Sequence, residues 1–214
     1  MAARPLHPSH RPTIVNSAAD RQTAQTMTES PIQPPHEVRT ERLILRSARA
    51  GDGPALRLAI GVSLNEFFPW LPFSAQLSDH ETLERVSQLA QSKFLEGEFY
   101  VWRVWEPDGL LVGTVDLHST NRAVPSCEIG YWLRSDRTGR GLAQEFVTAA
   151  IEIAQKTLKV ERIEARCDVR NERSWRLVER LGFAFEGIAR NDDRDAAGEL
   201  CSTKVYALVR SAPR

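Results

Sequence analysis

The sequence contains little cysteine and has no excess of charge of either sign, and both features exclude classes of protein. Its 214 residues include three cysteines (Cys127, Cys167 and Cys201), which are far apart and form no CxxC pair. This argues against a disulfide scaffold or a structural zinc site, and it suits a reducing compartment. Lys plus Arg number 28, as do Asp plus Glu. Without a basic excess, there is no electrostatic case for binding nucleic acid or an anionic membrane.

Long hydrophobic runs and histidine clusters are also missing. No apolar run approaches the roughly 18 residues of a membrane span, and the five histidines lie apart. We therefore predict a cytoplasmic protein with no membrane association, no nucleic-acid partner and no metal. Hydrophobic residues make up 42% of the chain, which is enough for the core of one domain with or without a tail.

The first 36 residues contain no aromatic residue but half of the twelve prolines. Such a segment cannot bury enough apolar surface to offset the entropy lost on ordering. We predict a disordered tail over residues 1–36 and a single domain over 37–214. The tail lacks the apolar stretch of a secretory signal. A transit peptide, or a translation start at Met27 instead of Met1, remains an open alternative.

From Val38 onward, hydrophobic periodicity predicts the element order β-α-α-β-β-β-α-β-α-β-β. A strand covers RTERLILRSAR, with Leu43 and Leu45 on one face, and a short helix follows Gly53. The apolar, proline-broken segment Leu64–Phe73 is predicted as an ordered loop, and Ser78 with Glu81 as a capping box for the next helix. The fold class is α/β (α+β): a mixed, largely antiparallel sheet of about seven strands flanked by helices.

The segment Tyr131–Glu145 combines a strand, a polar turn with two glycines and an amphipathic helix. Glycine allows close approach of a ligand, and the helix start offers unpaired N–H groups at a positive dipole end. This arrangement predicts a phosphate or pyrophosphate site, with Arg137 and Arg140 adding mobile positive charge at its rim. No GK[ST] or GxGxxG follows, so neither ATP nor NAD is predicted. A turn that merely requires glycine explains the same pattern.

Four segments resemble one known family in order and spacing: TERLILR, PWLPF, EIGYWL followed by TGRGLAQE, and VRNERSWRLVERLGFAFEG. Over about 80% of the chain, from Thr40 to Arg210, the sequence is similar to the GNAT superfamily of N-acetyltransferases. The likeness is to the RimJ/RimL branch, which acetylates N-termini of ribosomal proteins. The chain departs from the family at Thr138, where Gln or Arg is usual. Because the family's phosphate contacts are largely through backbone N–H groups, we expect binding to survive.

The resemblance implies acetyl-CoA as co-substrate and assigns its binding residues. Thr138 begins the phosphate motif. The pantetheine arm would lie beside the end of the strand, and Asn171 would hydrogen-bond it, although a helix cap explains Asn171 equally well. The implied pyrophosphate contacts are Gly139, Arg140, Gly141, Leu142 and Ala143, and the implied pantetheine strand is Tyr131, Trp132 and Leu133.

The implied reaction is direct attack of a primary amine on the thioester. Ser174 matches the family's thiol-side acid, although a serine near a helix start is usually a cap. The base is Glu128 or Asp193; Glu128 could instead be a salt-bridge partner, and the run 191–195 a solvated hairpin. Backbone N–H groups of Tyr131 or Trp132 would hold the oxyanion. The cysteines are expected to be buried as small hydrophobes.

The resemblance leaves the amine acceptor open. A protein or peptide N-terminus, for example of a ribosomal protein, is the first hypothesis, and a small amine such as an aminoglycoside, polyamine or amino acid is the second. A non-catalytic acyl-CoA-binding module is a hypothesis of another class. The aromatic loop residues Phe67, Phe68, Trp70 and Phe73 would border the acceptor cleft, where Trp70 or Phe68 could line the pocket. A homodimer is compatible with the resemblance.

Overall fold

The computed structural model describes residues 2–3, 32–67, 70 and 80–210. Most of the predicted tail therefore lies outside the described residues, as do Phe68, Phe73 and Ser78 of the predicted loop and capping box. The disorder of residues 1–36 stays a prediction. The domain expected to begin at residue 37 has its first strand there, at Glu37–Arg39.

The described chain forms nine strands and four α-helices. A 3₁₀ turn at Ser135–Arg137 precedes the third helix, and a π turn at Ile153–Thr157 follows it. The strands are β1 Ala2–Ala3, β2 Glu37–Arg39, β3 Ile44–Ser47, β4 Tyr100–Trp105, β5 Leu111–Asn121, β6 Ser126–Leu133, β7 Arg162–Asp168, β8 Ala184–Arg194 and β9 Leu200–Val209. The helices are α1 Gly53–Phe67, α2 His80–Glu96, α3 Leu142–Glu152 and α4 Glu172–Arg180.

The strands make one sheet in the order β2-β3-β4-β5-β6-β7-β9-β8, with β1 paired to β6. Every neighbouring pair is antiparallel except β6 and β7, which are parallel. This confirms the predicted mixed, largely antiparallel sheet flanked by helices. Two short strands, β1 and β2, bring the total above the predicted seven.

Two predicted boundaries near the start of the domain were wrong. The single strand expected over residues 39–49 is a hairpin of β2 and β3, closed by Thr40 N–H bonding to the Leu43 carbonyl. The loop expected from Leu64 begins later, because α1 runs to Phe67. Leu64 packs on the cluster that contains Leu56 and Ile60, which favours continuing the helix. The helix then ends just before Phe68, the residue that Pro69 restricts.

The two faces of the sheet bury different residues of β6. Tyr131 and Leu133 join the main core with Phe146 of α3. Trp132, between them, packs with Leu56 and Leu83 of the α1–α2 layer. Because side chains alternate across a strand, β6 presents alternate residues to α3 and to the α1–α2 layer.

The parallel strands β6 and β7 separate partway along their length. Their paired residues are Ser126 with Arg162, Cys127 with Ile163, and Glu128 with Glu164. Beyond that last pair, β6 continues to Leu133 and β7 to Asp168. We call the gap between these diverging ends the β6–β7 fork. It leaves one edge of β6 unpaired with β7 from Ile129 onward.

Candidate active site

The turn between β6 and α3 presents a row of unpaired backbone donors. Gly139 and Gly141 both have φ of 77°, and Gly141 caps α3 without any side-chain hydrogen bond. Within the part of the chain that the structure describes, none of the N–H groups of Gly139–Ala143 donates a hydrogen bond. Five such groups at a helix N-terminus suit an anion. The predicted phosphate turn therefore has the geometry expected of an anion cradle.

The side chains around this turn differ from the expectation in one respect. Arg140 is exposed, whereas Arg137 is ion-paired: its Nε lies 3.1 Å from Glu106 Oε1, and its side chain is 22% exposed. The Thr138 hydroxyl donates to the Ser135 carbonyl at 2.9 Å. Thr138 thus stabilises the 3₁₀ turn, and Arg140 is left as the exposed cation of the pair.

The predicted pantetheine strand has one edge in the sheet and one edge in the fork. β5 pairs with Tyr131, Trp132 and Leu133 along the first edge. Since a strand has only two edges, β1 must use the fork edge, where Ala2 is opposite Trp132 and Ala3 opposite Tyr131. This edge therefore accepts an extended backbone, and an extended pantetheine chain would compete with β1 for it.

Ser174 lies under the fork on the α3 side of the sheet and is fully buried. Its Oγ is 3.1 Å from the Tyr131 hydroxyl and 3.3 Å from Cys167 Sγ. Burial raises the pKa of Tyr131 well above its usual value and that of Cys167 to about 12. Tyr131 is therefore a neutral hydroxyl. Cys167 and Cys127 are buried thiols as predicted, but the prediction was wrong for Cys201, which is only half-buried.

Asn171 is the N-cap of α4, with its Oδ1 accepting a hydrogen bond from Ser174 N–H at 3.2 Å. This confirms the helix-cap interpretation of Asn171. The cap also sets the position of Ser174, because both residues belong to the first turn of α4 next to the end of β7. Binding of pantetheine by Asn171 stays a prediction.

Glu128 is at the base of the fork, in the last pair of residues that joins β6 to β7. Its Oε2 is 3.6 Å from His118 Nε2, and His118 Nδ1 donates to Asp116 Oδ1 at 2.7 Å. The side chains of Asp116 and His118 are 3% and 6% exposed, whereas that of Glu128 is 30% exposed. The three residues form a line from the interior to the surface on the α1–α2 face.

The charges along this line support one another. Burial lowers the pKa of His118, but the hydrogen bond to Asp116 and the nearby Glu128 carboxylate outweigh it and raise the value to about 10. The resulting imidazolium is the main cause of a lowered pKa for Glu128. Glu128 is thus an ionised carboxylate at neutral pH. Sequence reasoning missed Asp116 and His118, although their i, i+2 spacing in a predicted strand indicated a shared face.

The acidic run at residues 191–195 is tied to the end of β7. Asp192 Oδ2 is 2.6 Å from Arg166, and Asp195 Oδ2 is 3.0 Å from Arg170. Arg170 also lies over the ring of Trp70, 5.8 Å from its centroid. Asp193 is half-buried in β8 opposite Cys201. The ion pairs place this run near the predicted acceptor loop, and a base role for Asp193 stays a prediction.

Neither a metal site nor a membrane span is found among the described residues. No group of three or more His, Cys, Asp or Glu side chains in that part of the chain could hold a metal ion. None of its helices is long and apolar enough to cross a bilayer.

Comparison with known proteins decides the family. The family model described as an acetyltransferase (GNAT) domain matches residues 42–184. The chain belongs to the GNAT family. The [ribosomal protein uS5]-alanine N-acetyltransferase of Escherichia coli is 30% identical over 157 residues, covering 71% of this chain and 80% of that enzyme. The probable N-acetyltransferase YjcK of Bacillus subtilis is 34% identical over 119 residues, covering 53% of this chain and 66% of that protein, slightly under two thirds of it.

Solved structures of GNAT enzymes share the fold. A RimL ribosomal L7/L12 α-N-protein acetyltransferase in complex with coenzyme A superposes with a TM-score of 0.75 at 19% identity, covering 79% of this chain and 95% of that one. The family match and these similarities identify the chain as an N-acetyltransferase that uses acetyl-CoA.

Proposed function

We propose that this GNAT enzyme acetylates the α-amine at the N-terminus of a protein or peptide by direct attack on acetyl-CoA. The observation that carries the proposal is the fork itself. An ionised carboxylate, Glu128, lies on its α1–α2 face, and a buried hydroxyl, Ser174, lies on its α3 face. A base and an acid on opposite sides of one gap suit a reaction that takes a proton from the amine and gives one to sulfur.

The binding residues are those of the turn and the strand edge. The diphosphate lies on the N–H groups of Gly139–Ala143, where a helix N-terminus stabilises negative charge. The pantetheine arm extends along Tyr131–Leu133 into the fork and replaces β1 there. Bound acetyl-CoA supplies the activated acyl group, and the residues of the fork orient the amine against it.

The proton from the attacking amine goes to Glu128, directly or through water, as the C–N bond forms. An α-amine with a pKa of about 7.7–8.0 is about a tenth neutral at pH 7, whereas a lysine amine at about 10.4 is neutral only at a few parts in ten thousand. A carboxylate with a lowered pKa is a weak base. It therefore suits an α-amine better than a lysine side chain.

As the C–S bond breaks, the leaving sulfur takes a proton from Ser174. Exchange with solvent then returns a proton to Ser174 and removes the one that Glu128 accepted, which restores both groups for the next turnover. The Tyr131 hydroxyl donates to the Ser174 backbone carbonyl at 3.1 Å and lies 3.1 Å from Ser174 Oγ, so its proton can turn toward that oxygen when Ser174 gives up its own. Since burial keeps Tyr131 neutral, it stays a donor throughout.

The named activity of the Escherichia coli relative on an alanine of ribosomal protein uS5 supports a peptide acceptor for this chain.

The test measures thiol release from acetyl-CoA with a matched panel of amines. Short peptides with free Ala or Ser N-termini are compared with the same peptides carrying a blocked N-terminus and one lysine, and with a polyamine and an aminoglycoside. We expect release, and a single acetyl group by mass spectrometry, only with the free N-termini. Release only with the small amines would contradict the peptide acceptor. CoA binding without release from any acceptor would indicate a non-catalytic module.

A further inference from the structure

We propose that Arg42 is a positioning residue for the diphosphate cradle. It lies in the turn between β2 and β3, about 100 positions before the cradle, and its guanidinium bonds to the cradle's backbone. The inference rests on the proposed cofactor site at Gly139–Ala143 and extends it to a residue that does not touch the cofactor.

The key contact orients one peptide group. Arg42 Nη1 donates to the Arg140 carbonyl oxygen at 2.9 Å. In a planar trans peptide the C=O and the following N–H point in opposite directions. Holding the carbonyl toward Arg42 therefore directs the N–H of Gly141 away from Arg42. Among the described residues, no other side chain bonds to a carbonyl of residues 139–141.

Arg42 is itself fixed by Glu145, in the first turn of α3. Its Nε and Nη2 reach Glu145 Oε2 at 2.7 and 2.6 Å. Its backbone N–H donates to Oε1 at 2.8 Å, as does the Thr40 hydroxyl at 2.5 Å. Burial raises the pKa of Glu145, but the Thr40 and Arg42 hydrogen bonds outweigh it and lower the value. These contacts connect the β2–β3 turn, through Arg42, to the first turn of α3, and we call this connection the clamp.

The clamp matters because the peptide it holds lies between two glycines. Gly139 and Gly141 are both left-handed, and glycine has more conformational freedom than any other residue. A flip of the Arg140–Gly141 peptide would point a carbonyl oxygen at the diphosphate and remove one donor. Arg42 disfavours that flip before the cofactor arrives, which lowers the ordering cost of binding.

The experiment compares two acyl donors that share the acetylated pantetheine arm. Acetyl-CoA also carries the diphosphate and the 3′-phosphoadenosine attached to it, and S-acetylpantetheine lacks both. For Arg42→Lys, which keeps the charge but loses the planar fork, and for Arg42→Ala, we expect the KM for acetyl-CoA to rise about tenfold with kcat nearly unchanged. The KM for S-acetylpantetheine should stay at the wild-type value.

The matched control is Arg39→Ala. Arg39 lies three positions earlier, pairs with Glu37 and is 67% exposed, so its loss removes the same charge without touching the cradle. Its KM for acetyl-CoA should match wild type. Glu145→Gln, which frees Arg42 without removing it, should raise that KM in the same direction as the Arg42 variants.

Two results would overturn the inference. One is an unchanged KM for acetyl-CoA in folded Arg42→Lys. The other is an equal rise for both donors, which would mean a general structural defect. Circular dichroism establishes folding of each variant. If wild-type protein shows no heat with CoA in calorimetry, the proposed cofactor site itself fails, which is a different outcome.

Discussion

The proposed diphosphate cradle and the β6–β7 fork are neighbours in the structure but are built in opposite ways. The cradle consists of five consecutive residues, Gly139–Ala143, and presents backbone N–H groups. The fork joins Asp116 and His118 of β5, Glu128 and Tyr131 of β6, and Ser174 of α4, and it presents side chains. The cradle therefore depends on the conformation of one turn, whereas the fork depends on the register of β5, β6 and β7 and on the position of α4.

This difference has a functional consequence. Cradle substitutions should change how tightly acetyl-CoA binds and leave the chemical step intact, because the diphosphate is remote from the reacting bond. Fork substitutions should slow the chemical step and leave the affinity for acetyl-CoA nearly unchanged. Variants that move KM and kcat separately therefore test whether the two regions are as independent as their construction indicates.

The largest effect is expected for Glu128→Gln. The amide keeps the shape but accepts no proton, so kcat should fall about 10²–10⁴-fold, the range for loss of a general base. The KM for acetyl-CoA should hardly change. Asp193→Asn is the matched control and should keep near wild-type kcat. If Asp193→Asn loses activity and Glu128→Gln does not, Asp193 of β8 is the base and Glu128 is not.

Gly141→Trp should raise the KM for acetyl-CoA by about tenfold or more, since a left-handed φ strains any L side chain by about 1–2 kcal/mol. An added Cβ would also lie 3.6 Å from Arg42 Nη2, so the indole would crowd the guanidinium that holds the cradle's backbone. Saturating acetyl-CoA should restore most of kcat. Gly198→Trp is the control, because Gly198 has φ of 83° and open space around its missing Cβ. A fall in kcat with unchanged KM would refute the separation of the two regions.

Ser174→Ala should lower kcat by about tenfold, less than loss of the base, because a thiol with a pKa near 8.5 leaves readily without full protonation. CoA affinity from calorimetry should match wild type. The variant also removes one hydrogen-bond partner of the Tyr131 hydroxyl, which keeps the Ser174 carbonyl as its acceptor, at a cost of about 1 kcal/mol in unfolding free energy. Full turnover would remove Ser174 from the mechanism.

Stability should depend on pH through His118. Its pKa is raised in the folded state to about 10, so its contribution is fully present below its unfolded pKa of about 6.5 and is lost as pH rises toward 10. The unfolding free energy of wild type should exceed that of His118→Gln by about 1–3 kcal/mol at pH 6, and the difference should shrink by pH 10. Urea unfolding at both pH values measures it. A constant difference would mean that His118 is not charged.

The smallest effect concerns β1, which shares the fork edge with the proposed pantetheine arm. Replacing Ala2 and Ala3 by proline removes their N–H donors and weakens strand pairing. If β1 occupies the edge about half of the time, CoA should bind about twofold tighter to the variant. Ala2 and Ala3 to glycine keeps the donors and serves as the control. Weaker binding by the proline variant would show that β1 supports the site.

Prediction from sequence succeeded where neighbours along the chain decide the structure. The hairpin of β4 and β5, the strand β6 and the helix α3 follow from alternation, turn residues and helical spacing over short segments. The end of α1 did not follow, because Leu64 stays helical through contacts with other buried residues of the α1–α2 layer. The split of the first strand into β2 and β3 was also missed, although the turn that causes it is local: Thr40 N–H bonds to the Leu43 carbonyl, and Leu43 N–H to the Thr40 hydroxyl.

The sequence by itself determined the family, the sheet type and the glycine turn before α3, because the motifs and the hydrophobic periodicity that indicate them each lie within a short segment of the chain. Only the tertiary structure decided that Glu128 is at the base of the fork, that His118 and Asp116 keep it charged, and that Arg42 holds the Arg140 carbonyl. These contacts span up to 98 positions. Strand register and helix packing set them, and a one-residue shift in register would place the same side chains on the other face of the sheet.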